Sequence, residues 1–272
     1  MQRLSSIRAL IIDMDGVLYR GESPMEGLGA FFAFLRERGI CFQLVTNNST
    51  LTPGLYVRKM ARMGVQVREN DILTSSLATA DYVGARFPVG TQIYAIGEEG
   101  LMDALQQTGF RLGERDPAAV VVGFDRDLTY HKLRVACLLI RSGLPFIATN
   151  PDVTLPVPEG QVPGTGAALA ALAAAAECEP TVIGKPGPML MEQAIQRMGA
   201  TPEITAAIGD RPETDILSAN RAGLLSILAL SGATDMARLA AFDGVLPPEH
   251  VPDLIVKDIR ALVREWSGVL DA

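Results

Sequence analysis

The sequence predicts an α/β protein: a core of parallel strands with helices on both faces, interrupted by a second, inserted α/β domain. Three observations lead there. Short apolar stretches of strand type alternate with stretches of helical period from end to end, which is the pattern of parallel sheets buried on both sides. Polar clusters stand at the ends of several apolar stretches, where ligands gather in sheets of this kind. The middle, from about residue 88 to 180, has an alternation of its own and is entered and left through proline-bearing segments. The core is therefore placed at 1–87 and 181–272 and the insert at 88–180. At 272 residues the chain is near the upper limit for one core, which agrees with two domains.

Taken in order, the strand-like runs are 9–13, 41–47, 92–96, 120–123, 146–149, 181–184, 204–209 and 226–230, each short, apolar and bounded by polar or turn residues. Helical period fits 27–38, 51–63, 76–87, 101–108, 130–142, 166–177, 188–198 and 214–222. The alanine-rich run in 166–177 reads as a helix packed closely on a sheet, and it is too short to cross a bilayer. The first apolar run meets Asp13 before a signal core can form.

Composition narrows the function. Hydrophobic content of 48% and charged content of 20% are ordinary for a soluble globular protein. A net charge of -7 argues against a nucleic-acid backbone as partner, while leaving room for a small anionic substrate at a locally positive site. Cys41, Cys137 and Cys178 show no metal or redox spacing and read as reduced core thiols of a cytoplasmic protein. With only His131 and His250, a histidine-rich zinc site is disfavoured. No membrane partner is expected.

The chemistry is expected at four strand ends. Asp13 and Asp15, in DMDG, close the first apolar run. One carboxylate there can attack as a nucleophile while its neighbour moves protons, and together they can hold a magnesium ion. The calcium-loop reading of the same string fails, because VLYRGESP lacks the downstream ligands. Thr46, Asn47 and Asn48 offer a hydroxyl, amides and backbone N–H groups suited to phosphate oxygens, or to plain helix capping. Lys185, between Gly184 and Pro186, supplies a point charge for a phosphoryl group or for crowded carboxylates. Asp210 can ligate a metal, and Asp215 can orient a ligand or a metal-bound water from behind. The GTGAAL string lacks the third glycine of a dinucleotide fingerprint, and there is no P-loop, so nicotinamide and kinase readings lose support.

In this order DMDGV, TNNS, GKP and GDRPETD resemble the four motifs of the haloacid dehalogenase (HAD) superfamily, and the long insert between the second and third resembles its type II cap. The resemblance covers about the first and last thirds of the chain. It implies a Rossmann-like core and places the chain near the branch of para-nitrophenyl phosphatases, nucleotide phosphatases and phosphoglycolate phosphatases. FIATNPD and PGTGA are similar to the cap of that branch, which implies that Asn150 and Asp152 lie on the loop facing substrate. Pyridoxal phosphate phosphatases carry a histidine where this chain has Leu155, which lowers that substrate's odds.

The resemblance implies a magnesium-dependent phosphate monoester hydrolase. Asp13 is then the nucleophile that forms an aspartyl-phosphate, and Asp15 the general acid and base. Asp13, Asp210 and the backbone carbonyl of Asp15 hold the metal. Thr46, Asn47, Asn48 and Lys185 hold the phosphoryl oxygens. The partner is a small phosphorylated metabolite; nucleotides, sugar phosphates and phosphoglycolate stay open. Members of the branch often dimerise through the cap. The competing readings are a phosphomutase or phosphotransferase of the same superfamily, and an idle ligand-binding regulator.

Overall fold

The computed structural model describes residues 2–157, 159–240 and 246–271. The chain forms two compact units, one of Met1–Thr46, Tyr56–Leu73 and Lys185–Ala272, the other of Asn47–Leu55 and Thr74–Gly184.

The first unit is built on a six-stranded sheet. Its order is Leu254–Val256, Leu225–Ala229, Thr205–Gly209, Ala9–Asp13, Cys41–Thr46 and Ile72–Thr74. Pairing from the first of these to Cys41–Thr46 is parallel, with Ile11 opposite Ala207 on one side and Gln43 on the other. Leu10 and Ile12 are fully buried, as an apolar run in the centre of a parallel sheet requires. The chain leaves Ala9–Asp13 toward one edge and later returns on its other side. The reversal of strand order therefore falls at this strand, where a crevice opens beyond the carboxyl ends. Helix Leu28–Glu37 buries Leu28, Phe31, Phe32 and Leu35 at helical spacing. Helix Ile259–Leu270 is capped by the Asp258 side chain, which accepts from the Ala261 N–H, and it seats Trp266 edge-on to Phe34 at 5.8 Å.

The second unit has a five-stranded sheet in the order Thr181–Val182, Phe146–Ala148, Val120–Val122, Gln92–Ile96 and Arg111–Leu112, again parallel. Val120, Val122 and Ala148 are sealed in its core with Leu169 and Leu172 of the alanine-rich helix Thr165–Ala176. A hairpin, Thr154–Val157 with Gly160–Pro163, precedes that helix.

Residues 88–180 lie inside this second unit, which also takes in 47–55, 74–87 and 181–184. Hydrogen bonds show why the extra segments belong there. Ser75 and Ser76 Oγ donate to the carbonyls of Asn47 and Ser49 at 2.6 and 2.8 Å, and the Gly100 N–H donates to the Thr50 carbonyl at 3.0 Å. The run at 181–184 corrects the sequence reading. Thr181 and Val182 pair with Ile147 and Ala148, so this strand closes the second sheet and not the core sheet. The core sheet is completed instead by Ile72–Thr74 and Leu254–Val256, three residues each, too short to show a period. The expectation of core thiols is also corrected: Cys41 and Cys178 are exposed, and Cys137 is half-buried.

Candidate active site

Asp13 is the last residue of the central strand, in register with Val45, and Thr46 ends the neighbouring strand. Asp210 directly follows Thr205–Gly209, the strand on the other side of Ala9–Asp13. Asp215 stands in one wide π turn, Pro212–Ile216, which opens the short helix Leu217–Arg221. Lys185 enters the first unit straight from the end of the second sheet, through a cis bond to Pro186.

These side chains meet. Lys185 Nζ donates to Asp13 Oδ1 and to Asp215 Oδ1, both at 2.5 Å. The side chains of Lys185, Asp13 and Asp215 are only 4, 13 and 5% exposed, so the three charges face each other with little water between them. Asp215 Oδ2 accepts from the backbone N–H groups of Asp210 and Arg211 at 3.1 and 3.0 Å. Asp210 Oδ2 accepts from the Ala233 N–H. Both oxygens of Asp215 are thus engaged, whereas Asp13 Oδ2 and Asp210 Oδ1 are left over from these bonds. One oxygen from each of Asp13, Asp210 and Asp215 lies within 4.8 Å of the others.

Electrostatics follow from that crowding. Burial pushes the Asp13 carboxyl well up, and repulsion from Asp215 and Asp210 adds to it, against the pull of Lys185. Asp210 is pushed up to about 6, by burial first and then by Asp215. Burial pulls the Lys185 ammonium down, but Asp13 and Asp215 more than offset this and hold it above its ordinary value. Asp15 forms an isolated bridge with Tyr19 of the hairpin Tyr19–Arg20 and Ser23–Pro24. Its carboxyl is raised by desolvation, and it is pulled back by Lys59 and by hydrogen bonds from the N–H groups of Gly16 and Gly21.

Close packing limits what the backbone can be. Gly16 has φ +84°, and a Cβ there would sit 2.2 Å from Asp210 Oδ2; at Gly232 it would sit 2.0 Å away, and at Gly209 2.1 Å from Asp215 Cβ. Tyr56, buried, hydrogen-bonds the Thr46 side chain, and burial raises its phenol.

The other expected residues gather within the second unit. Asn47 Nδ2 donates to Asp152 Oδ1 and Oδ2 at 3.3 and 3.2 Å, and Asn150 Nδ2 donates to the Asn47 carbonyl at 2.9 Å. Asn48 Oδ1 accepts from the N–H and hydroxyl of Thr50, both at 2.8 Å, so it also serves as a turn former. Sequence reasoning missed Tyr56, Lys59 and the segment Ser231–Ala233. The last had a usable signal: SGAT follows the apolar run Leu225–Ala229, a fifth polar cluster just beyond a strand.

The segments that carry these acids match two profiles, one described as haloacid dehalogenase-like hydrolase over residues 10–111 and one as HAD-hydrolase-like over 182–262. The 5'-nucleotidase YutF of Bacillus subtilis is 34% identical over 254 residues, 93% of this chain and 98% of that one. The chain belongs to the haloacid dehalogenase-like hydrolase family. A 4-nitrophenylphosphatase from Thermotoga maritima superposes with a TM-score of 0.90 at 36% identity, covering 96% of this chain and 98% of the other. A glycerol phosphate phosphatase from Mycobacterium tuberculosis, solved in complex with magnesium, superposes with a TM-score of 0.86 at 31% identity, covering 96% of this chain and 77% of that one. This HAD hydrolase therefore stands in the nitrophenyl phosphatase-like branch, among phosphatases. Hydrolases of the family generally use Mg2+, and the Asp13, Asp210 and Asp215 group is a set of hard oxygen donors of the right kind. Among the described residues no helix is long and apolar enough to cross a membrane.

Proposed function

We propose that this HAD hydrolase cleaves the phosphate monoester of a small metabolite through an aspartyl-phosphate on Asp13. The observation that carries the reading is the buried cluster itself: Lys185 bridges Asp13 and Asp215 while Asp210 stands across from them with one oxygen to spare. Anionic oxygens attack an anionic phosphate only where positive charge is already in place.

The donor set fits a magnesium ion. Burial and mutual repulsion raise Asp13 and Asp210 together, which a divalent cation between them would relieve. Asp13, Asp210 and the backbone carbonyl of Asp15 are the proposed holders; Asp215, spent on Lys185 and two N–H groups, orients them. When bound, the ion supplies neutralisation of the phosphoryl oxygens.

The residues then divide the work. Asp13 Oδ attacks phosphorus, the bond to the ester oxygen breaks, and that oxygen leaves with the proton of Asp15. A water next attacks the aspartyl-phosphate and gives its proton to Asp15, the bond from phosphorus to Asp13 breaks, and inorganic phosphate departs. A raised Asp15 suits the first role, because the acid must hold its proton until the transition state. Lys185 and Thr46 hold phosphoryl oxygens. Asn47, Asn48, Asn150 and Asp152 are proposed to bind substrate, supported for Asn47, Asn150 and Asp152 by their common hydrogen-bonded set. A homodimer through the inserted unit rests on family resemblance, and a cytoplasmic location on cysteines without metal or redox spacing.

The test is phosphate release over a broad panel of nucleotide, sugar, polyol and aryl monoesters, with magnesium and then with a chelator. Release that needs magnesium and vanishes in Asp13→Asn is the expected result. Metal-independent release, or an active Asp13→Asn, overturns the reading.

A further inference from the structure

Asp15 opens the turn that follows the central strand: it bridges Tyr19, and the Gly16 N–H donates to the Tyr19 carbonyl at 2.8 Å. The turn is bounded by glycines in the left-handed region, Gly16 at φ +84° and Gly21 at φ +57°. Something must hold these glycines for the Asp15 carboxyl to have a fixed place. One residue reaches both sides. Ser231 Oγ donates to the Gly16 carbonyl at 2.8 Å, and the Ser231 carbonyl accepts from Arg20 Nε, next to Gly21, at 2.8 Å. Ser231 is almost fully buried, so neither bond competes freely with water. Two residues on, the Ala233 N–H holds Asp210.

We infer that Ser231 is a positioning residue for proton transfer: by clamping Gly16 through its hydroxyl and Arg20 through its carbonyl, it fixes the turn from Gly16 to Arg20 that places the Asp15 carboxyl. It touches neither phosphate nor leaving group. Arg20 is its exposed counterpart on the hairpin. The inference rests on Asp15 being the proton donor in the hydrolysis proposed above.

A clamp on the proton donor matters most where the leaving oxygen needs the proton. An alkoxide leaves poorly without it, whereas 4-nitrophenolate leaves with little help. The experiment compares kcat on glycerol phosphate and on 4-nitrophenyl phosphate, at saturating magnesium, for wild type, Ser231→Ala, Ser231→Thr and Arg20→Ala, with melting temperatures alongside. Ser231→Ala is expected to lose about 10-fold or more on glycerol phosphate and less than about 3-fold on the nitrophenyl ester. Ser231→Thr, which keeps the hydroxyl, is expected to restore the wild-type ratio of the two rates. Arg20→Ala, on an exposed residue, is expected to skew the ratio the same way by less, and it decides the matter if Ser231→Ala does not fold. Equal losses on both esters, or an unchanged ratio in Ser231→Ala and Arg20→Ala alike, overturn the clamp. A wild type that releases no phosphate from any ester overturns the function instead, and the clamp with it.

Discussion

Lys185 sits between two carboxylates, and that separates the roles of the acids around it. Asp13 and Asp215 each accept from the same ammonium, but Asp215 spends its second oxygen on backbone N–H groups while Asp13 keeps one for chemistry. Asp13→Asn is accordingly expected to lower phosphate release by about 10³-fold or more while the melting temperature stays near that of wild type, since an amide fills the same space. Asp15 is tuned differently, from outside the cluster. The Lys59 ammonium lies 4.1 Å from the centre of the Tyr19 ring and 3.3 Å from Glu22, and it pulls Asp15 down. Replacing it, as in Lys59→Met, removes that pull and raises Asp15 further. The limb of the pH–rate profile that reports loss of the Asp15 proton should then move to higher pH; a limb that stays in place or moves down would refute the assignment. DMDG and GKP announced the residue types, but nothing local in either string says that Lys185 pairs with Asp215 as well as Asp13.

Turns and short segments, more than whole helices, set the site's shape. The segment Ser231–Ala233 packs so tightly on Asp210 that a Cβ on Gly232 would overlap its carboxylate. Gly232→Ala should therefore displace Asp210 and raise the magnesium concentration needed for half-maximal activity, at a cost of about 1–3 kcal/mol in stability. Calorimetry and a magnesium titration on one preparation check both. Elsewhere in the same unit the effect is the reverse. Trp266→Ala removes a fully buried indole from the seam between helices Ile259–Leu270 and Leu28–Glu37, and it is expected to cost about 3–5 kcal/mol while leaving kcat at a permissive temperature unchanged. The helical runs read from the sequence end at 214–222 and omit this last helix, although Asp258 as cap and apolar residues at 259, 262 and 266 mark it. The strands Ile72–Thr74 and Leu254–Val256 were not legible in the same way, because three residues carry no period.

At the scale of the whole molecule, the acid cluster ties stability to pH and to metal. Asp210 is raised to about 6 from 3.8, and Asp13 is raised as well. A carboxyl raised on folding binds its proton more tightly in the folded state, so its stabilising contribution is present below pH 3.8 and is lost as pH rises through about 6. A cation held between the ionised carboxylates opposes that loss. The rise in melting temperature brought by magnesium is expected to be small at about pH 4.5 and to grow through about pH 6 toward a plateau, once these groups are ionised. A magnesium effect that does not change over this range would place the cation elsewhere.

The sequence by itself determined the alternation of elements, the acids at the strand ends and the family they mark, because periodicity, strand-ending charge and motif strings are local along the chain. Tertiary structure alone decided which sheet each strand joins, that 181–184 closes the second sheet while delivering Lys185 to the first unit, and that Ser231 reaches Gly16. Lys185 and Asp13 are 172 positions apart, and Ser231 and Gly16 are 215 apart. Such meetings depend on sheet order and register, which are set by packing between elements and leave no trace in any short window of residues.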